Sequence, residues 1–133
     1  MNILVVDDEP TYRVLLEDYL RAQDWLVYTA SNGEEGLKRL RETEIDFIIC
    51  DVYMPAMDGL KFQSARDAMP EFAHIPLLFV SAYADEHTLL AASTSKNCGF
   101  MKKGSPMREL REWIQYLTTP PEKRPIRRPG MPE

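Results

Sequence analysis

Ile45-Asp46-Phe47-Ile48-Ile49-Cys50-Asp51-Val52-Tyr53-Met54-Pro55-Ala56-Met57-Asp58-Gly59 is an apolar run that ends in a carboxylate and gives way to a loop closed by Pro55 and Gly59. The unbroken succession of Phe, Ile, Ile and Cys reads as a strand buried on both faces, as in a parallel sheet. Asp51 then falls at the tip of that strand, on the edge of the sheet where open α/β folds bind their ligands.

The flanking sequence repeats the pattern. Ile3 to Val6 is a short apolar run, a first strand, that ends in Asp7-Asp8-Glu9, and Pro10 suits the first turn of a helix. Val14, Leu15, Tyr19 and Leu20 recur at helical spacing and predict a helix to about Ala22. Trp25 to Thr29, aromatic and β-branched, reads as a second strand. Ser31-Asn32-Gly33-Glu34 predicts a turn with a cap before a helix whose inner face carries Leu37 and Leu40. Gly36 inside that helix costs about 1 kcal/mol relative to alanine, which implies close packing on the sheet.

The third strand, Ile45 to Cys50, is followed by a helix after Asp58-Gly59 that carries Leu60, Phe62, Ala65 and Met69 and is broken by Pro70. Pro76 opens a fourth strand, Leu77 to Val80. A helix from about Glu86 to Ser95 is weak by composition, with Thr88, Ser93, Thr94 and Ser95. Gly99-Phe100-Met101 is a short fifth strand, and Pro106 starts a final helix with Leu110, Trp113, Ile114 and Leu117 facing the core. Five strands alternating with five helices predict an α/β, doubly wound parallel sheet with right-handed crossovers. An order of 2-1-3-4-5 puts the switch point between strands one and three.

At 133 residues and 44% hydrophobic content the chain fits one soluble domain with a real core, expected over 1–118. No apolar run approaches the roughly 18 residues of a membrane span, and the N-terminus lacks the basic region of a signal peptide, so no membrane association and a cytoplasmic location are expected. Cys50 and Cys98 are too few for a disulfide scaffold and read as buried thiols. The net charge of −5 argues against general nucleic-acid affinity. From Thr119 to Glu133 four basic residues face two acidic ones, which leaves −7 on the first 118. That stretch also holds five of the ten prolines and is expected to be a disordered tail or linker, either simply solvated or a basic partner-binding element.

If strands one and three flank the switch point, Asp7, Asp8 and Asp51 converge in one crevice. Three carboxylates so close repel and raise one another's pKa values, and a hard cation removes the conflict. Mg²⁺ takes oxygen ligands and typically binds one or two carboxylates together with phosphate oxygens. Ser81 ends the fourth strand and Lys103 follows the fifth, so both reach the same edge. A metal and a lysine would neutralise phosphoryl oxygens, a hydroxyl would donate a hydrogen bond, and a carboxylate would attack phosphorus. Aspartyl phosphate is an established covalent intermediate.

Four segments carry a resemblance: Ile3-Leu4-Val5-Val6-Asp7-Asp8-Glu9-Pro10, then Asp51 through Gly59, then Val80-Ser81-Ala82, then Gly99-Phe100-Met101-Lys102-Lys103. In this order the chain resembles a receiver domain of two-component response regulators from Asn2 to Leu117. The resemblance implies a flavodoxin-like (βα)5 fold in which Asp51 accepts a phosphoryl group from a phosphohistidine. It implies that Asp8 binds Mg²⁺ directly, Asp7 directly or through water, and the backbone carbonyl of Tyr53 as a further ligand. Ser81 would be the switch hydroxyl, Lys103 the phosphoryl-contacting cation, and Phe100 the aromatic whose rotamer reports activation. The partners implied are a sensor histidine kinase or histidine phosphotransfer protein and a downstream protein target or output domain. The implied signalling surface, helix four with strand five and helix five, is also a candidate homodimer interface. Such a protein is a switch that catalyses only its own phosphorylation and dephosphorylation.

Each residue has a plainer rival. Asp7 and Asp8 could be acids favoured by a helix dipole, Ser81 a simple cap, and Phe100 plain core. Lys103 is preferred to its neighbour Lys102 because it lies three residues after Phe100, the family spacing. The family usually has proline where Gly104 stands, commonly after a cis bond, which costs about 2.5–4 kcal/mol before any other residue. Tyr53 and Tyr83, two residues past Asp51 and Ser81, predict screening of an acyl phosphate from water and slow self-dephosphorylation. The alternative class is a pseudo-receiver that signals by protein contacts without phosphate. An aspartyl phosphatase would commonly need a second acid where Tyr53 stands, and nucleotide binding lacks a Gly-rich loop.

Overall fold

Each apolar run becomes a strand because it buries alternate residues on opposite sides of one sheet. The computed structural model describes residues 1–130. Along the chain come β1 (Asn2–Val6), α1 (Pro10–Arg21), β2 (Leu26–Ala30), α2 (Gly33–Glu42), β3 (Phe47–Cys50), α3 (Gly59–Asp67), β4 (Leu77–Ser81), α4 (Glu86–Thr94), β5 (Cys98–Lys102), α5 (Met107–Thr118) and a 3₁₀ turn, Pro121–Lys123. All neighbouring strands pair in parallel, in the order 2-1-3-4-5 that the sequence predicts.

The strand period of two sorts the core into two layers. Ile3, Val5, Phe47, Ile49, Leu78, Val80 and Met101 pack with Leu16 and Leu20 of α1 and with Leu110, Trp113, Ile114 and Leu117 of α5. Leu4, Val6, Ile48, Cys50, Leu77, Phe79 and Cys98 pack with Leu37 and Leu40 of α2, Phe62 of α3 and Ala92 of α4. Gly36 shows why α2 tolerates a glycine: a Cβ there would stand 2.9 Å from the Phe62 ring and 3.1 Å from Val6 Cγ2. Asn32 caps α2, its side chain accepting from the Glu35 amide at 2.8 Å.

Three local features depart from the sequence pattern. The inward face of α1 is Tyr12, Leu16 and Leu20, whereas Val14 and Leu15 are 54% and 49% exposed. On α3, Arg66 is fully buried beside Phe62 and donates to the Ile75 carbonyl, tying the helix to the segment that leads into β4. The stretch expected to be a disordered tail runs back along α5 over 119–130, where Arg124 donates to the Leu117 carbonyl; residues 131–133 lie outside the described residues. No described helix is long and apolar enough to cross a membrane.

Candidate functional site

The carboxyl edge of the sheet assembles the site by continuing the strand ladders one residue further. Asp7 N–H donates to the Ala30 carbonyl, Asp51 N–H to the Val6 carbonyl, and Lys103 N–H to the Ser81 carbonyl. By strand parity Asp7 follows Val5, Asp51 follows Ile49 and Lys103 follows Met101, all on the layer that α1 and α5 cover. Three polar side chains are thereby delivered to one side of the sheet edge, over Tyr12 of α1.

The predicted residues meet there. Asp7, Asp8 and Asp51 each offer an oxygen within 4.8 Å of the others. Lys103 Nζ lies 3.0 Å from Asp51 Oδ2 and 3.0 Å from Asp7 Oδ2, with Glu9 Oε2 at 3.9 Å. Asp7 and Asp51 are buried and Asp8 is exposed. The remaining oxygens are engaged as well: Val52 N–H donates to Asp51 Oδ1 at 2.7 Å and Glu9 N–H to Asp7 Oδ1 at 2.8 Å. Burial pushes the Asp51 carboxyl above its ordinary range, the Asp7 charge adds to this, and the Lys103 ammonium opposes it. Burial works against the Lys103 charge, yet its hydrogen bonds to Asp7 and Asp51 hold the ammonium above the usual lysine range.

Ser81 is buried at the end of β4, next to β3, and its hydroxyl accepts from the Tyr83 amide at 3.3 Å. Tyr53 follows Asp51 in the loop, and its ring meets that of Tyr83 edge to face at 5.8 Å, so the pair bridges the loops after β3 and β4. The Tyr53 hydroxyl donates to Asp85, and the same carboxylate caps α4 by accepting from the Thr88 amide at 2.9 Å. Phe100 stands apart from the acids: it is half-buried in mid-β5, on the layer that carries α2, α3 and α4.

Two contributors escaped the sequence reading. The Tyr12 ring lies 4.8 Å from Lys103 Nζ, a cation–π contact that supports the ammonium from below. Burial, with further increments from the nearby acids, pushes the Tyr12 phenol up to about 12. Arg13 donates to the Asp7 carbonyl at 2.7 Å and fixes the start of α1 against β1. The residue after Lys103 is Gly104, with φ +92°, and no cis peptide bond occurs among the described residues. That φ lies where only glycine is comfortable and where proline, fixed near −65°, cannot follow.

Gly59 closes the loop after Asp51 by donating its N–H to the Val52 carbonyl at 2.7 Å. A Cβ at Gly59 would collide with the Asp51 carbonyl oxygen and stand 2.9 Å from Val52 Cα, both rigid backbone. Gly59→Ala should therefore cost about 2 kcal/mol and displace the Asp51 loop. Chemical denaturation checks it, and a loss below about 0.5 kcal/mol would show that the loop yields freely.

A buried carboxylate, two further acids suited to a hard divalent cation, a lysine and a hydroxyl on one edge form a set that can accept a phosphoryl group. Residues 3–115 match the response regulator receiver domain family. Among curated relatives, the chain is 31% identical over 119 residues to the two-component response regulator ORR24 of Oryza sativa, covering 88% of this chain and 18% of that protein. It is 34% identical over 124 residues to an uncharacterized 14.6 kDa protein of Leptolyngbya boryana, covering 92% and 95%. The chain thus spans only about a fifth of the first curated relatives it matches. Among solved structures, the response regulator protein TrrA of Thermotoga maritima, in complex with Mg²⁺-BeF, superposes with a TM-score of 0.76 at 30% identity, covering 87% of this chain and 97% of that one. The Vibrio cholerae chemotaxis protein CheY4 gives 0.80 at 25% identity, with the same coverage.

Proposed function

This chain belongs to the response regulator receiver domain family, and from that premise we propose that Asp51 is the phosphoacceptor of a Mg²⁺-dependent signalling switch. The observation that carries it is the convergence of Asp7, Asp8 and Asp51 within 4.8 Å, with the Lys103 ammonium 3.0 Å from both buried carboxylates. The donor set fits Mg²⁺: all oxygen, rich in negative charge and open to solvent on the Asp8 side. Asp8, Asp7, Asp51 and the Tyr53 carbonyl would hold the ion, which when bound screens the phosphoryl oxygens from the carboxylates.

The chain's own groups do the rest. Val52 N–H holds one Asp51 oxygen and fixes the plane of the carboxylate. An Asp51 oxygen forms a bond to phosphorus as the bond from phosphorus to the donor imidazole breaks, and the imidazole leaves with that electron pair. Lys103 moves its charge from the carboxylate to the incoming phosphoryl oxygens, steadied by the Tyr12 ring. The Ser81 hydroxyl, at the end of the neighbouring strand, donates to a phosphoryl oxygen and pulls the loop after β4 with it.

The donor is a phosphohistidine of a sensor kinase or phosphotransfer protein, and the altered α4–β5–α5 surface passes the state to a downstream protein, an output domain or a second copy. The activity is confined to the protein's own phosphorylation and dephosphorylation. Incubation with Mg²⁺ and acetyl phosphate, followed by intact-mass measurement, tests this: one phosphoryl group per chain is expected, and none would leave a phosphate-independent interaction module.

Tyr53 and Tyr83 set the lifetime of that product. Their rings meet edge to face across the loops after β3 and β4, and the hydrogen bond to Asp85 pushes the Tyr53 phenol above its ordinary range. The phosphoryl half-life of the wild type should exceed those of Tyr53→Asn and Tyr83→Glu. Equal half-lives would remove the screening role.

A further inference from the structure

We propose that the α4–β5–α5 surface is the docking site of the chain's own segment 120–130, clasped by Arg124 and Arg128, and that filling the phosphoacceptor site releases it. The coupling rests on the role given to Asp51 above; the docking rests on the contacts of Arg124 and Arg128. Arg124 donates to the carbonyls of Thr119 at 2.8 Å, Leu117 at 3.1 Å and Lys96, so one guanidinium caps α5 and holds the loop between α4 and β5. Arg128, one helical turn of sequence further on, donates to the carbonyl of Cys98, the first residue of the edge strand β5. The guanidiniums also stack on aromatic rings of α5: Arg124 lies 5.1 Å from Tyr116, and Arg128 lies 5.1 Å from Trp113 and 5.9 Å from Tyr116. Charge favours the arrangement, because a basic tail lies on an acidic domain, with Gly130 beside the Glu109 carboxylate.

The clasp holds the far ends of two elements that lead to the site, α4 and β5. β5 has Cys98, held by Arg128, at its start, and Lys103 immediately after its last residue. α4 is capped by Asp85, which Tyr53 from the Asp51 loop binds, and it runs into the loop whose Lys96 carbonyl takes Arg124. Phe100, Leu89, Leu90, Trp113, Arg128 and Pro129 line one groove of about 700 Å³ between α4 and the tail. A change in the position of Phe100 or α4 therefore alters the wall against which the tail lies. By linkage, what the phosphorylated state loses in tail contacts the tail-free chain regains in affinity for a phosphoryl mimic.

The test is fluoroberyllate titration with Mg²⁺ in a Trp25→Phe background, where Trp113 is the remaining tryptophan. Bound fluorine is followed by ¹⁹F NMR and Trp113 by fluorescence. The titration is run on the full chain, on a chain ending at Pro120, and on Arg128→Ala. The last keeps the Arg124 cap on α5 and guards against simple loss of the helix end. The expected result is a Trp113 change on binding in the full chain that Arg128→Ala lacks, with fluoroberyllate bound at least about fivefold more tightly by both altered chains. Bound fluorine with equal affinities and a silent Trp113 would overturn the coupling while leaving Asp51 as acceptor. No bound fluorine in any chain would overturn the role of Asp51 and the coupling with it.

Discussion

Asp51→Asn should take up no phosphoryl group from acetyl phosphate or a phosphohistidine donor, while its thermal midpoint in metal-free buffer at neutral pH stands at or above the wild type's. The amide keeps the shape of the side chain and its one oxygen can still accept from the Val52 N–H, while its NH2 replaces the oxygen that Lys103 Nζ holds now and leaves that ammonium to Asp7. What it lacks is the anionic oxygen that the proposed transfer bonds to phosphorus. Removing a nucleophile from a covalent mechanism costs on the order of a million-fold in rate, well below detection by intact mass. The stability prediction has a separate cause: Asp51 and Asp7 are buried like charges sharing one ammonium, and neutralising one relieves that repulsion. Phosphorylation of Asp51→Asn at the wild-type rate would move the acceptor elsewhere. A clear fall in its midpoint would show that the carboxylate is structural.

These residues were readable in the sequence for one physical reason. Asp7 and Asp51 each stand directly after an apolar run, and the parity of a strand buried on both faces carries straight into them. The order of the strands followed from the same runs, because each crossover contains a single helix and the family's segments come in the right sequence. The α1 register was less legible. Val14 and Leu15 look like core by composition, but the helix turns Tyr12, Leu16 and Leu20 inward, and only three-dimensional packing decides between the two faces. Tyr12 was missed for that reason, although its place one turn before Leu16 was a signal. Arg66 was hidden for another reason: arginine is seldom fully buried, and the acceptor that permits it here, the Ile75 carbonyl, lies in an irregular connection that no periodicity marks.

The stretch 119–130 is the opposite case. Prolines and arginines read as solvated chain because composition records only what a segment can bury by itself. The partners that order 119–130 are on another element, Trp113 and Tyr116 three apart on α5, which match Arg124 and Arg128 four apart on the tail. Gly104 illustrates a third case. The family's proline is replaced by a residue at φ +92°, so Lys103 reaches Asp7 and Asp51 through a left-handed glycine.

Lys103→Met isolates what that ammonium does. Methionine keeps an unbranched stem of similar length against Tyr12 and removes only the charge. In metal-free buffer two buried carboxylates, with side chains only 3% and 8% exposed, then face each other uncompensated. Deleting one partner of a buried ionic cluster costs about 3 kcal/mol, which for a chain of this size lowers Tm by roughly 10 °C. Millimolar Mg²⁺ should restore part of the loss and raise Tm more in Lys103→Met than in wild type, because the cation then supplies charge that the lysine no longer does. Phosphoryl transfer should stay impaired even with Mg²⁺ present, since the proposed mechanism assigns Lys103 to the phosphoryl oxygens. Calorimetry with and without Mg²⁺, beside intact-mass kinetics, separates the two roles. An unchanged Tm would mean that Asp51 takes up a proton in the folded state when the lysine is gone, and full activity with Mg²⁺ would confine Lys103 to holding the metal-free site together.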